Sequence, residues 1–471
     1  MDGGSEGPTQ FSLAVHSPSS SRVEQQAARA RGVAGAMLLR QRGAARALCS
    51  AAATPLSLAV FTWGGGVSGA LGHGGEYNEL CVRPPAFFLP PADAPPRCHR
   101  SAPRRVTHAG LAAALAECTS AADVSVSCGL FHSAVLVRGR VFAFGRGAGG
   151  RLGQGDEANA QLPTPVPGLP ADVAQVALGG LHSLFVTRSG ELWSCGFGGF
   201  GALGSGDYKP RHAPLRVLAA PPRVALAAAG GAHSLALAPA PDAADATGVW
   251  SWGRDEGDGR LGVTAAARVE GGAPAPLRVP LPAAGGSAAS SSPVVAAAAG
   301  GFHSLLLRAD GGVLSFGANA NGELGREGGT WVAAPVAALA GARVAQLAAG
   351  GFHSAALTAD GELYTWGSGV GGALGHGTAR NSRTPQRVAG DLAGVPLAAV
   401  ACGGASTLAV GRDGSVWAWG KNTQRLGSTS GDVLAPRLVP LPPGVRALTV
   451  AAGSAHVALL CAVDEESGEA A

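Results

Sequence analysis

The stretch GGFHSAALTADGELYTWGSGVGGALGHG, residues 350–377, contains the pattern that decides the fold of this chain. An apolar run follows a His-Ser pair, and a second apolar run ends in Trp-Gly; the pair Asp360-Gly361 lies between them. Asp-Gly between two alternating apolar runs predicts a β-hairpin with positive φ at both central turn positions. We therefore expect residues 350–377 to form an antiparallel hairpin followed by a glycine-rich turn.

Both halves of this stretch recur along the chain. The His-Ser half recurs as GLFHS (129–133), GGLHS (179–183), GGAHS (230–234), GGFHS (300–304) and GGFHS (350–354), and in degenerate form as GGAST (403–407) and GSAHV (453–457). The aromatic-Gly half, which ends in LG, occupies 62–72, 143–153, 194–204, 251–262, 315–325, 365–375 and 418–427. A repeat of about 50 residues made of strands indicates stacked or radially arranged units.

A polar segment follows each glycine-rich turn and leads to a Pro and Val motif such as APLRV (213–217) or TPQRV (384–388). Proline lacks the backbone N–H of a sheet ladder and therefore suits an outer edge strand. Each unit then has four antiparallel strands. Radial repetition of such sheets predicts an all-β, seven-bladed β-propeller.

The two ends of the repeat complement each other. The first Trp-Gly half, at Trp63 and Gly64, has no His-Ser half before it, and the last His half, at 445–463, has no Trp-Gly half after it. We expect the N-terminal strand to pair with the C-terminal strands and close the ring, which removes a free sheet edge. The propeller is predicted over 57–463, with a leader at 1–56, an acidic tail at 464–471, and departures from the repeat at 82–120, 238–247 and 282–293.

The repeated pattern, from V-A-x-G-G-x-H-S to W-G and G-x-L-G, resembles the regulator of chromosome condensation repeat family over about residues 57–463. The resemblance implies a seven-bladed propeller. It identifies function weakly because this scaffold supports several activities.

The His-Ser pair is predicted to be structural. A nucleophile and its base are needed once, whereas this position recurs in seven units, with Ser406 in place of His in one of them, and adjacent strand residues point to opposite faces. We expect each His side chain to hydrogen-bond neighbouring backbone. Histidines on different blades also need not converge on one metal ion, so no catalytic residue and no metal ligand is predicted.

Two ligand sites suggested by short motifs are rejected. G-x-G-x-x-G occurs four times without a following helical pattern, whereas a dinucleotide site needs one copy that opens a helix. The ultraviolet-B photoreceptors of the same family use Trp and Arg just before the His; here the matching pairs include Gly301/Phe302 and Gly351/Phe352. No cofactor is therefore expected.

The founding activity of the family is guanine nucleotide exchange on a small GTPase, in which a protruding hairpin acts as a wedge. The segment 238–247, with Asp242 and Asp245, lengthens a hairpin turn and is the one wedge-like candidate, with a plain loop as the alternative.

The segment 82–120 contains RCHRSAPRRVTH, in which Arg97, Arg100, Arg104 and Arg105 fall within nine residues. Such a cluster can contact the phosphates of nucleic acid or an acidic partner. It has no interleaved aromatic residue for base stacking. A solvated loop is the alternative interpretation.

The leader indicates a location. No acidic residue occurs from Gln25 to Gly75, whereas Arg29, Arg31, Arg40, Arg42 and Arg46 do, a pattern typical of organellar presequences. A secretory signal would require cleavage after the first strand, and an N-terminus without function is the remaining alternative.

The eight scattered cysteines form no CxxC pair and are interpreted as reduced thiols. No membrane span is predicted.

Two function classes follow. The first is a monomeric, non-enzymatic interaction scaffold in mitochondria or a plastid, whose partner is a protein or ribonucleoprotein. The family resemblance links chains with such a leader to organellar RNA or ribosome assembly. The second is a nucleotide exchange factor for a small GTPase in the nucleus or cytosol. The net charge of +4 on 471 residues carries no separate argument for nucleic-acid binding.

Overall fold

The structure, a computed structural model, describes residues 57–65, 67–74, 99–240, 247–264, 271–282, 292–421 and 431–464. The leader 1–56 and most of the acidic tail lie outside these residues, as do Arg97, Asp242 and Asp245.

Seven four-stranded antiparallel sheets make up the described chain, and six of them are consecutive in sequence. Blade 1 comprises β3 (Val124–Cys128), β4 (His132–Val137), β5 (Arg140–Gly145) and β6 (Ala160–Pro165). Blade 2 comprises β7 (Val173–Leu178), β8 (His182–Thr187), β9 (Leu192–Gly196) and β10 (Arg211–Arg216). Blade 3 comprises β11 (Leu226–Ala229), β12 (His233–Pro239), β13 (Thr247–Gly253) and β14 (Ala273–Arg278).

The next three blades repeat the arrangement. Blade 4 comprises β15 (Val294–Ala299), β16 (His303–Arg308), β17 (Val313–Gly317) and β18 (Ala334–Pro335). Blade 5 comprises β19 (Val344–Ala349), β20 (His353–Thr358), β21 (Leu363–Gly367) and β22 (Ser382–Arg387). Blade 6 comprises β23 (Leu397–Cys402), β24 (Ser406–Gly411), β25 (Val416–Gly420) and β26 (Val433–Val439). Each fourth strand contains proline, which confirms its prediction as an outer strand.

The closing blade joins the two ends of the propeller, as predicted. It comprises β1 (Ser57–Gly65), β2 (His99–Arg105), β27 (Val445–Ala452) and β28 (His456–Val463), in the order β2-β1-β28-β27. β1 pairs with β28 from Ser57↔Val463 to Gly64↔His456. The N-terminal and C-terminal strands of the propeller therefore lie in one continuous four-stranded sheet.

The segment 82–120 was interpreted as a departure from the repeat, with a solvated loop as one reading. Over 99–105 that reading is wrong, because β2 is the outer strand of the closing blade and pairs Thr62 with Arg104. The helix α1 (Ala109–Ala116) follows, and its Leu111 belongs to the same buried apolar cluster as Leu58 and Val60 of β1. The short polar sequence of β2 explains why no strand was predicted there.

The hairpin turns differ in detail from the prediction. At Thr358–Gly361 the glycine has φ 93°, whereas Asp360 does not have a positive φ. Gly361 N donates to Thr358 O at 3.0 Å, which is the geometry of a type I turn followed by a left-handed glycine. The two-residue turn with positive φ at both positions is formed by Arg138 and Gly139 instead.

Short 3-10 turns complete the described secondary structure: Val67–Gly69, Ala121–Asp123, Ala148–Gly150, Ala337–Leu339, Val370–Gly372 and Gly390–Leu392. The core lies between neighbouring blades. Trp63, Trp252, Trp366 and Trp419 are among its fully buried side chains. Because antiparallel strands alternate in direction, one face carries the loops that precede each His and follow each Trp-Gly; we call it the glycine face. The opposite face carries the hairpin turns.

A ring of backbone hydrogen bonds joins the blades around the central channel. The residue after the first glycine of each motif donates its N–H to a carbonyl of the next blade. These bonds are Leu130→Gly179 (3.2 Å), Gly180→Gly230 (2.9 Å), Gly231→Gly300 (3.0 Å), Gly301→Gly350 (3.0 Å), Gly351→Gly403 (3.1 Å), Gly404→Gly453 (3.3 Å) and Ser454→Leu130 (3.3 Å). Each blade therefore holds its neighbour through main-chain atoms.

The first glycine of each motif is required by this close approach. A Cβ on Gly300 would lie 2.6 Å from Gly350 O of the next blade and 2.5 Å from the ring of His303. Gly230 and Gly350 have the same surroundings in their own blades. The repeated Gly-x-x-His spacing thus encodes contact between blades.

We predict that Gly300→Ala lowers the free energy of unfolding by about 1–3 kcal/mol, because the added methyl overpacks the contact between blades 4 and 5. The measurement is urea unfolding followed by near-ultraviolet circular dichroism. Gly329→Ala is the matched control, since nothing lies within 4 Å of its Cβ position and its φ is ordinary. Equal stability losses in the two variants would contradict the argument.

Candidate functional site

Five histidines of the repeat each bond to a hydroxyl of the next blade. The Nε2···O distances are His132–Ser183 3.0 Å, His182–Ser234 2.8 Å, His233–Ser304 3.0 Å, His303–Ser354 2.8 Å and His353–Thr407 2.9 Å. The partner expected from the sequence is neighbouring backbone, and for Nε2 this expectation is wrong because the bonded atoms are side-chain hydroxyls. A backbone hydrogen bond, to Ser406, is made by His353. The His of one motif bonds the Ser or Thr of the motif in the next blade. Adjacent His and Ser residues point to opposite faces of their strand, so each can contact a different neighbouring blade.

The hydroxyl passes the contact on to a backbone carbonyl. Ser354 Oγ donates to Glu323 O at 2.8 Å, and Trp366 Nε1 donates to the same oxygen at 2.8 Å. Since the hydroxyl proton is committed to Glu323 O, His303 Nε2 must be the donor to Ser354 Oγ. The relay thus runs from His303 in blade 4 to Ser354 in blade 5 and back to the glycine-rich turn of blade 4.

Burial keeps these histidines neutral. It lowers the pKa of His182 and of His353 to about 4, and that of His303 to about 3. Burial also moves the pKa of His132 and of His233 well below the usual value. All five side chains are buried and hydrogen-bonded inside the ring, so they hold the blades together and do not face a substrate.

The central channel contains an open cavity of about 820 Å³ among the described residues. Its wall consists of the glycine motifs of all seven blades, which expose backbone and small side chains. Phe302, Phe352, Arg254, Arg260 and Lys421 add aromatic and cationic groups to the lining. No Asp or Glu is among its described lining residues.

Aromatic and arginine side chains form pairs on the glycine face. Guanidinium carbons lie over ring centroids at 5.6 Å for Arg146–Phe131, 4.3 Å for Arg254–Phe200 and 4.8 Å for Arg260–Phe302. Such rings and guanidiniums are enriched in the cores of protein interfaces. The sequence analysis missed this set. The available signal was an aromatic residue directly before His, or a charged residue directly after Phe-Gly or Trp-Gly.

Buried charges occupy three equivalent positions in the G-x-L-G turns. Arg151, Arg260 and Glu323 are nearly inaccessible, whereas Ala202 and Ala373 occupy the same position elsewhere. Arg151 Nη1 donates to Gly180 O at 2.8 Å, and burial lowers its pKa to about 10. Arg260 forms a bidentate ion pair with Asp258. These charges fix the turns around the mouth of the channel.

The predicted arginine cluster is divided by the fold. Arg100 pairs with Gly64 in the backbone register of β2, Arg104 is exposed, and Arg105 is partly buried. Arg104 and Arg105 are neighbours in a strand and therefore point to opposite faces. Arg97 lies outside the described residues.

The hairpin of the wedge-like candidate is longer than that of blade 2. β12 and β13 pair as far as Pro239↔Thr247, whereas the β8–β9 pairing ends at Val186↔Leu192. Asp242 and Asp245 would follow this extension, but they lie outside the described residues.

The remaining expectations concern cysteines, metals, nucleotides and membranes. The five described cysteines, Cys118, Cys128, Cys195, Cys402 and Cys461, are free thiols. Within the described ranges no three His, Cys, Asp or Glu side chains group as metal ligands, and no helix has the length and apolarity to cross a bilayer. The G-x-G-x-x-G run at Gly367, Gly369 and Gly372 ends in a three-residue 3-10 turn, and not in a long helix.

Comparison with known proteins gives concordant matches. The regulator of chromosome condensation (RCC1) repeat matches residues 138–186, 189–237, 310–357, 360–410 and 413–460. The chain is 35% identical over 375 residues to the mitochondrial RCC1 domain-containing protein RUG3 of Arabidopsis thaliana, covering 78% of each chain. It is 32% identical to the human E3 ubiquitin-protein ligase HERC2 over 69% of this chain and 6% of that protein.

Two solved structures are similar over most of the chain. Human WBSCR16 has 25% identity and a TM-score of 0.67, with 86% of this chain and 98% of that chain covered. Prp20p of Saccharomyces cerevisiae, described with binding properties to Gsp1p and histones, has 21% identity and a TM-score of 0.69, with 89% and 94% covered. The second likeness shows the fold alone.

The neutral histidines predict acid sensitivity. Their pKa is lower in the folded chain than in the unfolded one, so the unfolded chain binds more protons below about pH 6.5. Each buried histidine then costs about 1.4 kcal/mol of unfolding free energy per pH unit between about pH 6.5 and its folded pKa. Urea midpoints measured from pH 8 to pH 5 should be flat above pH 7 and fall steeply below pH 6.5. A constant midpoint would contradict neutral burial.

Ser354→Ala should lower the free energy of unfolding by about 1–3 kcal/mol, because it leaves His303 Nε2 and one lone pair of Glu323 O without their partner. Thermal unfolding measures the loss. The matched control is Thr378→Ala on an exposed loop, which should change stability little. A loss in Thr378→Ala as large as in Ser354→Ala would rule out the relay as the cause.

Proposed function

The chain belongs to the regulator of chromosome condensation (RCC1) repeat family, and we propose that it is a non-enzymatic interaction propeller that acts in mitochondria. One observation carries the first part: the His, Ser and Trp groups of the repeat are used up in contacts between blades, while aromatic and cationic groups that do not repeat line one mouth of the channel. The partner is a protein or a ribonucleoprotein.

The mitochondrial location is supported by two independent features. The relative RUG3, which is named as mitochondrial, matches 78% of this chain. The leader contains five arginines and no acidic residue between Gln25 and Gly75, as expected for a presequence. A plastid location would fit the leader alone.

Arginines 97, 100, 104 and 105 are proposed as a secondary contact with RNA or an acidic partner. Arg104 is exposed on the outer strand of the closing blade and has no ion-pair partner among the described residues. Because this strand lies at the outer edge of its blade, a bound partner would lie along the side of the propeller. The scaffold is proposed to act as a monomer.

The second candidate function is nucleotide exchange on a small GTPase. It is favoured by the extended β12–β13 hairpin, whose connecting sequence contains Asp242 and Asp245, the residues proposed for a wedge. The likeness to Prp20p supports this candidate through the fold only. Labelled-GDP release from a panel of small GTPases tests it: acceleration that is lost on Asp242→Ala/Asp245→Ala supports exchange, and no acceleration on any GTPase refutes it.

We predict that a C-terminal fluorescent fusion of the full chain stains mitochondria, and that removal of residues 1–56 abolishes the staining. The control replaces Arg29, Arg31, Arg40, Arg42 and Arg46 with Gln, which keeps the length of the leader and removes its charge. This variant should also lose the staining because presequences depend on positive charge. Diffuse or nuclear staining of the full-length fusion would refute the mitochondrial proposal.

A further inference from the structure

Four side chains, three at the mouth of the channel and one in the adjoining turn, form a partly exposed surface on the glycine face. This surface, here called the rim patch, comprises Phe302 of blade 4, Phe352 and Val370 of blade 5, and Lys421 of blade 6. Phe352 is 46% exposed and Val370 is 52% exposed. Their apolar atoms therefore face solvent where the channel opens.

The fold does not require an aromatic side chain at these positions. Phe302 and Phe352 directly precede the histidine of the motif, and the same place is taken by Ala232, Ala405 and Ala455 in other blades. The histidine that follows Ala232 makes the same bond to a serine of the next blade as the histidine that follows Phe302. Exposure of a large apolar ring without a structural need is typical of a binding surface.

The patch is rigid before any partner arrives. The rings of Phe302 and Phe352 are stacked, with centroids 5.2 Å apart and an interplanar angle of 25°. Arg260 covers the other side of Phe302 at 4.8 Å and is itself held by Asp258. A fixed aromatic surface loses little conformational entropy on binding, which favours affinity.

Charge at the mouth selects the partner. The channel is lined by Arg254, Arg260 and Lys421 and by no carboxylate among the described residues. Arg254 and Arg260 already pair with Glu256 and Asp258. Lys421 is exposed and has no ion-pair partner among the described residues.

Lys421 also lies beside the apolar part of the patch. Its backbone packs against Gly371, the residue after Val370, so that a Cβ on Gly371 would approach Lys421 Cα within 2.7 Å. Ser368 connects Val370 to Phe352, because its N–H donates to Phe352 O at 2.8 Å and its hydroxyl accepts from Val370 N at 3.4 Å. One short ligand segment can therefore reach both the aromatic group and the cation.

We propose that the rim patch binds a short acidic segment of a protein partner. An apolar or aromatic side chain of that segment packs on Phe352 and Val370, and an adjacent carboxylate pairs with Lys421. This inference rests on the proposed interaction function, which it deepens by assigning the surface and the chemistry of the partner.

Single-stranded RNA fits the same surface less well. Phe302 has one side against Arg260 and the other against Phe352, which leaves no side for a base to stack on. A peptide needs only the outer side of Phe352 and one cation.

The test is selection of a phage-displayed random peptide library on the full chain at about 150 mM salt. Selected peptides should combine a large apolar residue with adjacent Asp or Glu. Their synthetic versions should lose affinity at least about tenfold on Phe352→Ala and on Lys421→Glu. The controls are Leu438→Ala, which removes an exposed apolar side chain on the outer strand of blade 6, and Lys209→Glu on an exposed loop of blade 2.

The outcomes separate this inference from the proposed function. Peptides that are basic, that are not enriched, or that bind all four variants equally would overturn the rim patch as an acidic-segment site. Binding of a labelled oligouridylate that is lost on Phe352→Ala would overturn it in favour of RNA. A Phe352-dependent dimer in light scattering would overturn it in favour of a second copy. Mitochondrial staining of the full chain is independent of all four variants and tests the proposed function alone. Unchanged thermal midpoints confirm that the variants fold.

Discussion

The contact between each blade and the next, made through a bare glycine and a buried histidine, is the constraint on which this propeller depends. Gly300 lies against Gly350 O of the following blade, and His303 reaches Ser354 of that same blade. The hydroxyl of Ser354 returns to Glu323 O in the turn that follows Phe316-Gly317 of blade 4. The five-residue motif Gly-Gly-x-His-Ser therefore supplies one half of a joint whose other half lies 51 to 71 residues later, in the next blade. Five successive contacts of this kind join blades 1 to 6.

The use of the repeated His and Ser side chains in contacts between blades explains why they are not placed to act on a substrate. A histidine that is neutral, buried and hydrogen-bonded to a committed hydroxyl has neither an accessible proton nor a route to substrate. The blades differ from one another at positions that take no part in the contact between blades. Arg151, Arg260 and Glu323 replace alanine in the turns, and Phe302 and Phe352 replace alanine before the histidine. Binding specificity in this chain therefore depends on the residues that differ between equivalent positions of the seven blades.

Sequence reasoning identified the fold because periodicity, turn residues and prolines all indicate the same unit. The count of seven halves and the mismatch of the two ends were sufficient to predict the pairing of β1 with β28. β2 was missed because HRSAPRR has neither alternation nor apolar content, and only its neighbour β1 makes it a strand. The partner of the histidine was missed because a repeat shows which residues recur and not which copy each one contacts.

The candidate surface was harder to predict for a related reason. Phe352 and Lys421 are far apart in sequence and differ from the corresponding residues of other blades, so a search for shared motifs passes over them. The four arginines within residues 97–105 are close together in sequence and therefore predict a charged cluster. In a strand, however, neighbours such as Arg104 and Arg105 point to opposite faces. Local density in sequence is a poor guide to a surface that seven blades build together.

Closure of the ring by β1 also imposes an order on folding. β1 is an inner strand of its blade, with β2 on one side and β28 on the other, and β28 is near the far end of the chain. Six blades can assemble from contacts within about 50 residues, whereas the seventh must wait for the last strand to be made. Until then β1 keeps a bare sheet edge that can pair with other chains. A chain synthesised or translocated from its N-terminus therefore keeps its first strand vulnerable for longest, and a chaperone that shields Ser57–Gly65 would protect the step with the greatest contact order.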